Sequence, residues 1–340
     1  MRLSPKIFIF SFFAGFLNCV VAETVSQPTG TDRGVVQTDF FKHAAISDDF
    51  NEMWSYQFVF DNGTRAYVNY ATLHIPGSGE KVGCDISFTN FKGKNQSVGR
   101  QYPPERLKED KSKIRISVKE EYAMEGMPGK GHRVLFSANK NGKFLLDVTF
   151  ESAQAGKVPG NGIWKIGEEK HAEYILIPYG RVKGKIAFNS DTIEVSGYGY
   201  MEHTWQTTDA TKLAERAFNF SSPSTKAFAG RLAVTSSGNP FGYVIHNGKT
   251  LLPQTISENG RIYSGKEFPK GPLKILWANS SDALTIDMSH PKEKFSLLNN
   301  FDGWIVKKAA KLMMGGEIFF WRGRSKNPEG LIFDWSITGL

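Results

Sequence analysis

The densest group of chemically active side chains in this sequence lies in one ten-residue segment, 197–206 (GYGYMEHTWQ). It contains a histidine, a glutamate, a tryptophan and two tyrosines, which can donate, accept or position a proton. Side chains alternate along a strand, so His203 and Trp205 would share one face while Tyr200 and Glu202 share the other. His203 and Glu202 then point apart, which argues against a simple acid–base pair.

Three roles for His203 stay open at this point. It could be a buried histidine that holds the structure, a contact to a ligand, or a general acid that transfers a proton to a substrate. Gly197 and Gly199 carry no side chains on the His203 face, which predicts space for another group to approach there. The same choice between core packing and ligand contact applies to four aromatic residues: Trp54, Tyr56, Tyr70 and Trp205.

The signatures of common cofactor-dependent and metal-dependent enzymes are absent from the sequence. It contains no P-loop, no dinucleotide-binding glycine motif, no H-E-x-x-H, no C-x-x-C and no G-x-S-x-G. The seven histidines stand at spacings that match no metal motif, although ligands from distant strands could still meet in the fold. The sequence therefore predicts neither a metal site nor a cofactor.

Composition indicates a folded chain that is long enough for two domains. The 340 residues are 40% hydrophobic and 22% charged, which suffices for a buried core. Thirty-four glycines and short apolar runs favour strands and turns over a helical bundle. The formal net charge of +8 is dispersed, without a basic stripe that carries stacking aromatic residues. Nucleic acid is therefore not an expected partner.

The N-terminus predicts a cleavable signal peptide over residues 1–22. Two basic residues precede the apolar run 7–16, and small residues stand before a cleavage site after Ala22. Cleavage would leave Cys84 as the single cysteine, which we expect to be a small buried hydrophobic residue rather than a nucleophile. We therefore expect a secreted or periplasmic protein, or one of the secretory-pathway lumen, without an internal disulfide.

Alternating hydrophobicity predicts antiparallel strands along most of the chain. The first clear strand places Trp54, Tyr56 and Phe58 on one face, and the sequence 61–63 (DNG) predicts a hairpin turn after it. Similar segments follow to the C-terminus and end with the alternating segment 331–338. So many strands exceed one eight-stranded barrel and fit two. The predicted fold class is therefore all-β, with two antiparallel barrels side by side.

We place the N-terminal barrel at 43–188 and the C-terminal barrel at 189–340, behind a flexible lead-in over 23–42. Two segments break the strand pattern and predict short helices, 209–218 and 303–314. The second has apolar residues at helical spacing and three lysines opposite them. It is either a helix on the outside of a barrel or a basic amphipathic helix that contacts a membrane surface.

Several of these residues form a pattern that resembles a known group of proteins. The pattern is Trp54-Ser55-Tyr56-Gln57-Phe58, then Gly197-x-Gly199-Tyr200-x-x-His203-x-x-Gln206, then Arg216-x-x-Asn219-Phe220. It resembles the tandem lipocalin-like proteins, which include the fungal survival-factor proteins, the AttH-type secreted proteins, the carotenoid 1,2-hydratases and the lipocalin-like Diels–Alderases. The resemblance implies two lipocalin-like barrels, with an apolar pocket inside a barrel or at their junction.

The resemblance implies two functions, between which the sequence does not decide. The first is binding of a hydrophobic small molecule (a lipid, sphingolipid or isoprenoid) for transport or stress protection. The expected contacts are Trp54, Tyr56, Tyr70, Tyr200, His203, Trp205, Gln206, Arg216 and Asn219. The second is a cofactor-free hydratase or isomerase that acts on a carbon–carbon double bond. His203 would then be the general acid, and Tyr200 or Glu202 would position water. A surface interaction module without a pocket is a third hypothesis.

Overall fold

The computed structural model describes residues 24–75, 79–127, 131–139, 142–222, 229–262, 271–287, 291, 293–296, 298, 304, 307–308, 317–325 and 332–337. The predicted signal peptide 1–22 lies outside them, as does most of the predicted helix 303–314. Trp304, Lys307 and Lys308 are described as helical, and Trp304 is 74% exposed. Membrane contact through this segment stays a prediction. Within the described ranges, no helix combines the length and apolar character that crossing a bilayer requires.

Antiparallel strands and two 3-10 turns form the first part of the chain. The strands are β1 (Val25–Ser26), β2 (Arg33–Gly34), β3 (Asn51–Phe60), β4 (Arg65–Ile75), β5 (Gly79–Phe91), β6 (Lys94–Tyr102), β7 (Leu107–Asp110), β8 (Arg115–Val118), β9 (Tyr122–Glu125), β10 (His132–Asn139), β11 (Lys143–Gln154), β12 (Lys157–Val158), β13 (Ile163–Ile166), β14 (Glu169–Phe188) and β15 (Asp191–Gln206). The 3-10 turns are Gln37–Phe40 and Pro104–Arg106.

The large first sheet has the order β6-β5-β4-β3-β15-β14-β11-β10-β9-β8-β7, and β13 joins it beside β14. It curls so that alternate side chains of its strands fill one apolar core. In β3 the predicted alternation is confirmed, because Trp54, Tyr56 and Phe58 are at most 1% exposed. The predicted hairpin turn follows, with Gly63 at a φ of 84°, which a residue without a Cβ adopts easily.

The second part of the chain begins with the short helix α1 (Ala210–Leu213), a shorter version of the predicted helix 209–218. Its strands are β16 (Arg216–Ser221), β17 (Ala229–Val234), β18 (Pro240–His246), β19 (Lys249–Leu251), β20 (Pro253–Glu258), β21 (Arg261–Ile262), β22 (Leu273–Trp277), β23 (Ala283–Ile286), β24 (Glu293–Ser296), β25 (Phe319–Arg324) and β26 (Ile332–Ile337). They form two sheets, ordered β19-β18-β17-β16-β26-β25-β24 and β21-β20-β22-β23. The all-β prediction is confirmed.

The second part packs against the outer face of the first sheet. The Tyr243 hydroxyl accepts the Ile175 N–H at 2.7 Å and donates to the Lys157 carbonyl at 2.7 Å. Further along, the Arg322 guanidinium lies 3.6 Å from the centre of the Tyr67 ring. Backbone groups and side chains of both parts therefore share hydrogen bonds in the region between them, which we call the seam.

The lead-in over 23–42 contacts the first part of the chain, and its flexibility stays a prediction. From Thr24 onward it packs on the first part, where Val25 pairs with Ile166 and the 3-10 turn buries Phe40. Arg33 donates two hydrogen bonds to the Asp39 carboxylate, at 2.7 and 2.8 Å. Two adjacent phenylalanines in this otherwise polar stretch bury apolar surface there, which favours the contact.

The domain boundary at 188/189 stays a prediction. The change from the first hydrogen-bonded sheet to the next lies later in the chain. β14 and β15 form one long hairpin whose closing pair is Phe188 and Asp191, and β15 also pairs with β3. Both strands of the hairpin therefore belong to the first sheet. The next sheet begins with Arg216, after α1.

We expect the substitution Gly199→Ala to destabilise the protein by about 1–3 kcal/mol, because it overpacks the core. The added methyl group would lie 2.7 Å from Phe150 Cζ and 2.9 Å from Phe58 Cδ1. The space that the sequence predicts beside Gly199 is therefore filled by these two rings. Urea unfolding measures the change. Gly99→Ala is the control, since its methyl group would lie 3.8 Å from Asp85 Cβ. Equal unfolding midpoints for the two variants would contradict the packing described here.

Candidate functional site

The two faces of β15 lead to two separate polar clusters. Met201 and Trp205 belong to the apolar core of the first sheet, whereas Tyr200 belongs to a cluster at the seam. His203 contacts Glu52 on the inner face, and Glu202 contacts Tyr200 on the outer face. The predicted alternation is therefore confirmed, and His203 and Glu202 point apart.

The histidine cluster, which consists of His43, Glu52 and His203, lies on the inner face. Glu52 Oε1 is 2.7 Å from His43 Nδ1 and 2.9 Å from His203 Nε2. The backbone N–H of His43 also donates to Glu52 Oε1, at 3.0 Å. The side chains of Glu52 and His203 are fully buried, whereas that of His43 is 31% exposed. The cluster therefore reaches solvent through His43.

The protonation of His203 is constrained by its neighbours. Nδ1 lies 2.7 Å from the carbonyl oxygen of Asp39. A carbonyl oxygen only accepts hydrogen bonds, so Nδ1 carries a proton and Nε2 faces Glu52. The ring stacks on Trp54 with centroids 4.5 Å apart and planes 14° apart. A backbone carbonyl and an aromatic ring thus fix both the tautomer and the orientation of His203.

Glu52 is a carboxylate held in place by its two histidines. Burial raises the pKa of Glu52, but the hydrogen bonds with His203 and His43 outweigh this effect and leave the pKa below its ordinary value of 4.5. The side chain is therefore ionised at neutral pH, deep inside the first sheet. Such a buried charge is tolerated because donors from His43 and His203 surround it.

Three aromatic residues predicted to line a ligand wall are core residues of the first sheet. Trp54, Tyr56 and Tyr70 are at most 2% exposed. The Trp54 N–H donates to the Phe40 carbonyl at 2.9 Å, and the Tyr56 hydroxyl lies 2.8 Å from His132 Nε2. The Tyr70 hydroxyl donates to the Leu135 carbonyl at 2.7 Å. Their polar atoms are thus paired within the protein.

The carboxyl cluster lies on the other side of β15, at the seam, and consists of Glu173, Glu202, Asn219 and Arg231. The Tyr200 hydroxyl and the Asn219 amide each donate to Glu202 Oε2 at 2.8 Å. Arg231 Nη1 lies 3.4 Å from Glu202 Oε1 and forms an ion pair with it. Glu202 is therefore a buried carboxylate that joins β15 to β16 and β17.

Glu173, on β14, is the least satisfied polar group of the carboxyl cluster. It is fully buried, and neither carboxyl oxygen forms a hydrogen bond of normal geometry with the described residues. Burial, followed by the negative charge of Glu202, raises its pKa well above 4.5, although Arg231 opposes the shift. Glu173 therefore keeps its proton at a pH where an exposed glutamate has lost it.

Three other buried polar atoms on β3, β14 and β16 also lack partners among the described residues. They are Asn219 Oδ1, Gln57 Oε1 and His171 Nδ1. Gln57 pairs in register with Tyr200, and His171 Nε2 lies 3.7 Å from Glu173 Oε2. Burial, with a contribution from Arg231, lowers the pKa of His171 to about 3, so its ring is neutral. The seam thus contains several hydrogen-bond acceptors that no described donor satisfies.

The two remaining predicted site residues lie at the ends of strands. Arg216 begins β16, is 1% exposed and forms an ion pair with Glu215. Gln206 ends β15 and is half-buried. The predicted residues therefore divide between the inner face of the first sheet and the seam, and they do not form one site.

Sequence reasoning missed His43, Glu52, Glu173 and Arg231. Glu52 stands two residues before Trp54, in phase with the apolar face of β3, and Glu173 stands in the largely apolar segment 171–178. A carboxylate at a position where the strand pattern requires burial is the signal that could have found both. No comparable signal marks His43, which lies in a polar segment before β3.

No protein-family model and no curated protein sequence matches the chain. Among solved structures, an AttH-like protein from Nitrosomonas europaea has a TM-score of 0.60 at 12% identity, over 92% of this chain and 99% of that one. CghA, solved with Sch210972, has a TM-score of 0.56 at 11% identity, over 86% and 89% of the two chains. Kievitone hydratase from Nectria haematococca has a TM-score of 0.52 at 13% identity, over 92% and 96%.

These structures establish the class of fold. The chain has the lipocalin-like fold of these neighbours, as the resemblance in the sequence implies. At 11–13% identity, the likeness concerns the fold. It leaves the chemistry to be argued from the side chains of this chain.

We expect the Glu173→Gln variant to gain stability relative to the wild-type protein as the pH rises above 4.5. The pKa of Glu173 is raised in the folded state, so the folded protein holds this proton more tightly than the unfolded chain does. This proton contributes its full stabilisation below the pKa that Glu173 has in the unfolded chain. The stabilisation is lost as the pH rises through the higher pKa that Glu173 has in the folded protein. Glutamine cannot ionise and does not suffer this loss.

Urea unfolding at about pH 5 and about pH 8 measures the effect as the difference in unfolding free energy between variant and wild type. The control is Glu194→Gln, which removes an exposed carboxylate from β15. Its difference from the wild type should change little with pH. A Glu173→Gln difference that is the same at both values would show that Glu173 titrates as an ordinary glutamate.

Proposed function

We propose that this protein binds a hydrophobic small molecule that carries hydrogen-bond donors, and that the ligand lies at the carboxyl cluster in the seam. The observation that supports this most directly is the buried carboxyl group of Glu173, whose two oxygens form no hydrogen bond of normal geometry with the described residues and have only weaker contacts with Arg231 and His171. Buried polar atoms in native proteins nearly always have partners. A ligand hydroxyl or amide would supply donors to Glu173 and to the side-chain carbonyl oxygen of Asn219.

The surroundings of the carboxyl cluster suit an apolar ligand body. Ile175, Tyr200, Phe241 and Tyr243 belong to the same buried apolar cluster at the seam. The second part contributes both large side chains and four small ones to it, the small ones being Ala214, Ala217, Ala229 and Ala233. Apolar walls with a few fixed polar groups are typical of small-molecule sites, because the walls provide affinity and the polar groups provide orientation.

The structural neighbours support the same class of ligand. CghA was solved with the small molecule Sch210972, and another neighbour is named for its action on kievitone. Hydroxylated lipids, sphingolipids and isoprenoids meet both requirements, an apolar body and hydrogen-bond donors. We further propose that the protein meets its ligand outside the cytoplasm, because residues 1–22 have the pattern of a signal peptide.

We expect an organic extract of the purified protein to contain a stoichiometric hydrophobic small molecule that an empty-vector preparation lacks. Glu173→Leu should lose this molecule, because leucine offers no acceptor to its donor groups. Mass spectrometry of the two extracts makes the comparison. The exposed-site variant Glu194→Gln should retain the molecule. An extract without such a molecule, or equal retention by Glu173→Leu, would contradict ligand binding at the carboxyl cluster.

A second candidate function is supported by the different surroundings of two neighbouring carboxyl groups. Glu173 keeps its proton, whereas Glu202 is ion-paired with Arg231. Such a pair can serve as general acid and general base. In a cofactor-free hydratase, Glu173 would transfer its proton to one carbon of a double bond. Glu202 would take a proton from the water whose oxygen bonds to the other carbon.

This assignment moves the acid role away from His203. Both ring nitrogens of His203 have protein partners, Asp39 and Glu52, on the opposite face of β15. Proton transfer from His203 to a substrate would therefore require one of these bonds to break. Tyr200 keeps the role that the sequence suggests, since its hydroxyl lies 2.8 Å from Glu202 and can help to position water.

If the protein is a hydratase, incubation with unsaturated isoprenoids in oxygen-18 water should give a labelled alcohol. Glu173→Gln should slow this reaction by about 10²–10⁴, the usual contribution of a general acid. Mass spectrometry of the product gives both the label and the rate, and Glu194→Gln should react like the wild-type protein. Labelled product formed at equal rates by wild type and Glu173→Gln would reject Glu173 as the acid.

A further inference from the structure

The histidine cluster has the donor set of a transition-metal site. We propose that His43 Nδ1, Glu52 and His203 Nε2 bind one divalent transition-metal ion, with Zn²⁺ the best match. The three side chains offer ligand atoms that all lie within 4.8 Å of one another. Two imidazoles and one carboxylate with a fourth position open to water or substrate are the usual protein ligands of a catalytic zinc ion.

The distances within the histidine cluster allow an ion to enter with a small movement. Glu52 Oε1 is 2.7 Å from His43 Nδ1 and 2.9 Å from His203 Nε2. Ligand atoms about 2.0–2.2 Å from a tetrahedral zinc ion are about 3.3–3.6 Å apart. The two Glu52 contacts would therefore lengthen by about half an ångström to one ångström each, and the two histidine nitrogens already lie within 4.8 Å of each other. The ion would replace the hydrogen bonds to Glu52 by coordinate bonds.

The surroundings of His203 are those of a metal ligand. Its Nδ1 donates to the carbonyl oxygen of Asp39, so Nε2 is the nitrogen that faces Glu52, and it would give up its proton to bind the ion. Metal-binding histidines almost always donate their other ring N–H in this way, and the bond sets the direction of the ligand nitrogen. Asp39 is itself fixed by Arg33 and by the Val36 N–H. The ring of His203 stacks on Trp54, which completes its support.

His43 connects the histidine cluster to solvent. An ion could enter beside it, and the fourth coordination position of the ion would lie there. Its side chain is 31% exposed, and its ring stacks on Tyr174 at 5.8 Å. The Trp205 ring is 5.6 Å from the His43 ring, and its N–H lies close enough to the Tyr174 hydroxyl to favour the ionised form of that hydroxyl. The open coordination position would therefore lie on the partly exposed side of His43, beside these two aromatic residues.

The sequence predicts no metal site because the ligands come from distant parts of the chain. His203 and Glu52 are separated by 151 residues, and His43 lies in the segment before β3. The pairing of β15 with β3, in which His203 is opposite Trp54, brings them together. The metal site is independent of the ligand proposed at the seam, which lies on the other face of β15.

The test uses the full mature chain after treatment with a chelator and removal of the chelator. Titration calorimetry with Zn²⁺ should give one site, and Co²⁺ should give the visible absorption of a four-coordinate ion with nitrogen and oxygen ligands. His43→Ala should weaken Zn²⁺ binding by about tenfold or more, because one of three protein ligands is lost. His43 is the preferred variant, since it is partly exposed and its loss is compatible with folding.

The matched control is His74→Ala, which removes a half-buried histidine from β4 and should leave the Zn²⁺ affinity unchanged. A thermal-unfolding readout provides a second measurement that does not depend on any enzymatic activity. Zn²⁺ should raise the Tm of the wild type and of His74→Ala, and raise it much less for His43→Ala. Absence of stoichiometric binding, or equal affinity and equal Tm shifts for His43→Ala and the wild type, would overturn the proposal.

Discussion

The pairing of β14 with β15 is the interaction on which the rest of the structure depends. Residues 171–178 of β14 and 197–205 of β15 are buried without a break, so this part of the hairpin is covered on both faces. The inner face contributes to the core of the first sheet and the outer face to the seam. One antiparallel pair thus forms part of two apolar clusters. Disruption of this pair would therefore affect the packing on both of its faces.

Burial on both faces restricts which polar side chains the hairpin can carry. Each of them must find a partner inside the protein or pay the cost of desolvation. His203 meets this requirement with Glu52 and Asp39, and Glu202 meets it with Tyr200, Asn219 and Arg231. Glu173 has only weaker contacts, with His171 and Arg231, and keeps its proton. The contrast between Glu202 and Glu173 therefore arises from their neighbours.

Periodicity predicts the local features of this molecule well. The alternation in β3, the opposite directions of His203 and Glu202, and the all-β class follow from spacing along single strands. Periodicity gives no signal for β6, because its sequence (KNQSVGRQY) has too few apolar residues to show an alternating pattern. Nor does spacing reveal which residues meet across the sheet. Glu52 and His203 meet through the pairing of β15 with β3, and Glu202 and Arg231 meet through packing at the seam.

The two clusters are chemically separate although their central residues are neighbours in the chain. His203 and Glu202 are adjacent on β15, so a change in the backbone at either residue acts on both faces of the sheet. A substitution of His203, the residue that the sequence makes most prominent, would leave the buried Glu52 carboxylate and the Asp39 carbonyl without this partner, so its effect on folding could not be separated from its effect on function. His43 and Glu173 lie outside β15, one on each side. Substitutions at these two positions can change the inner face and the seam independently. They are therefore the best variants with which to assign a function to each face.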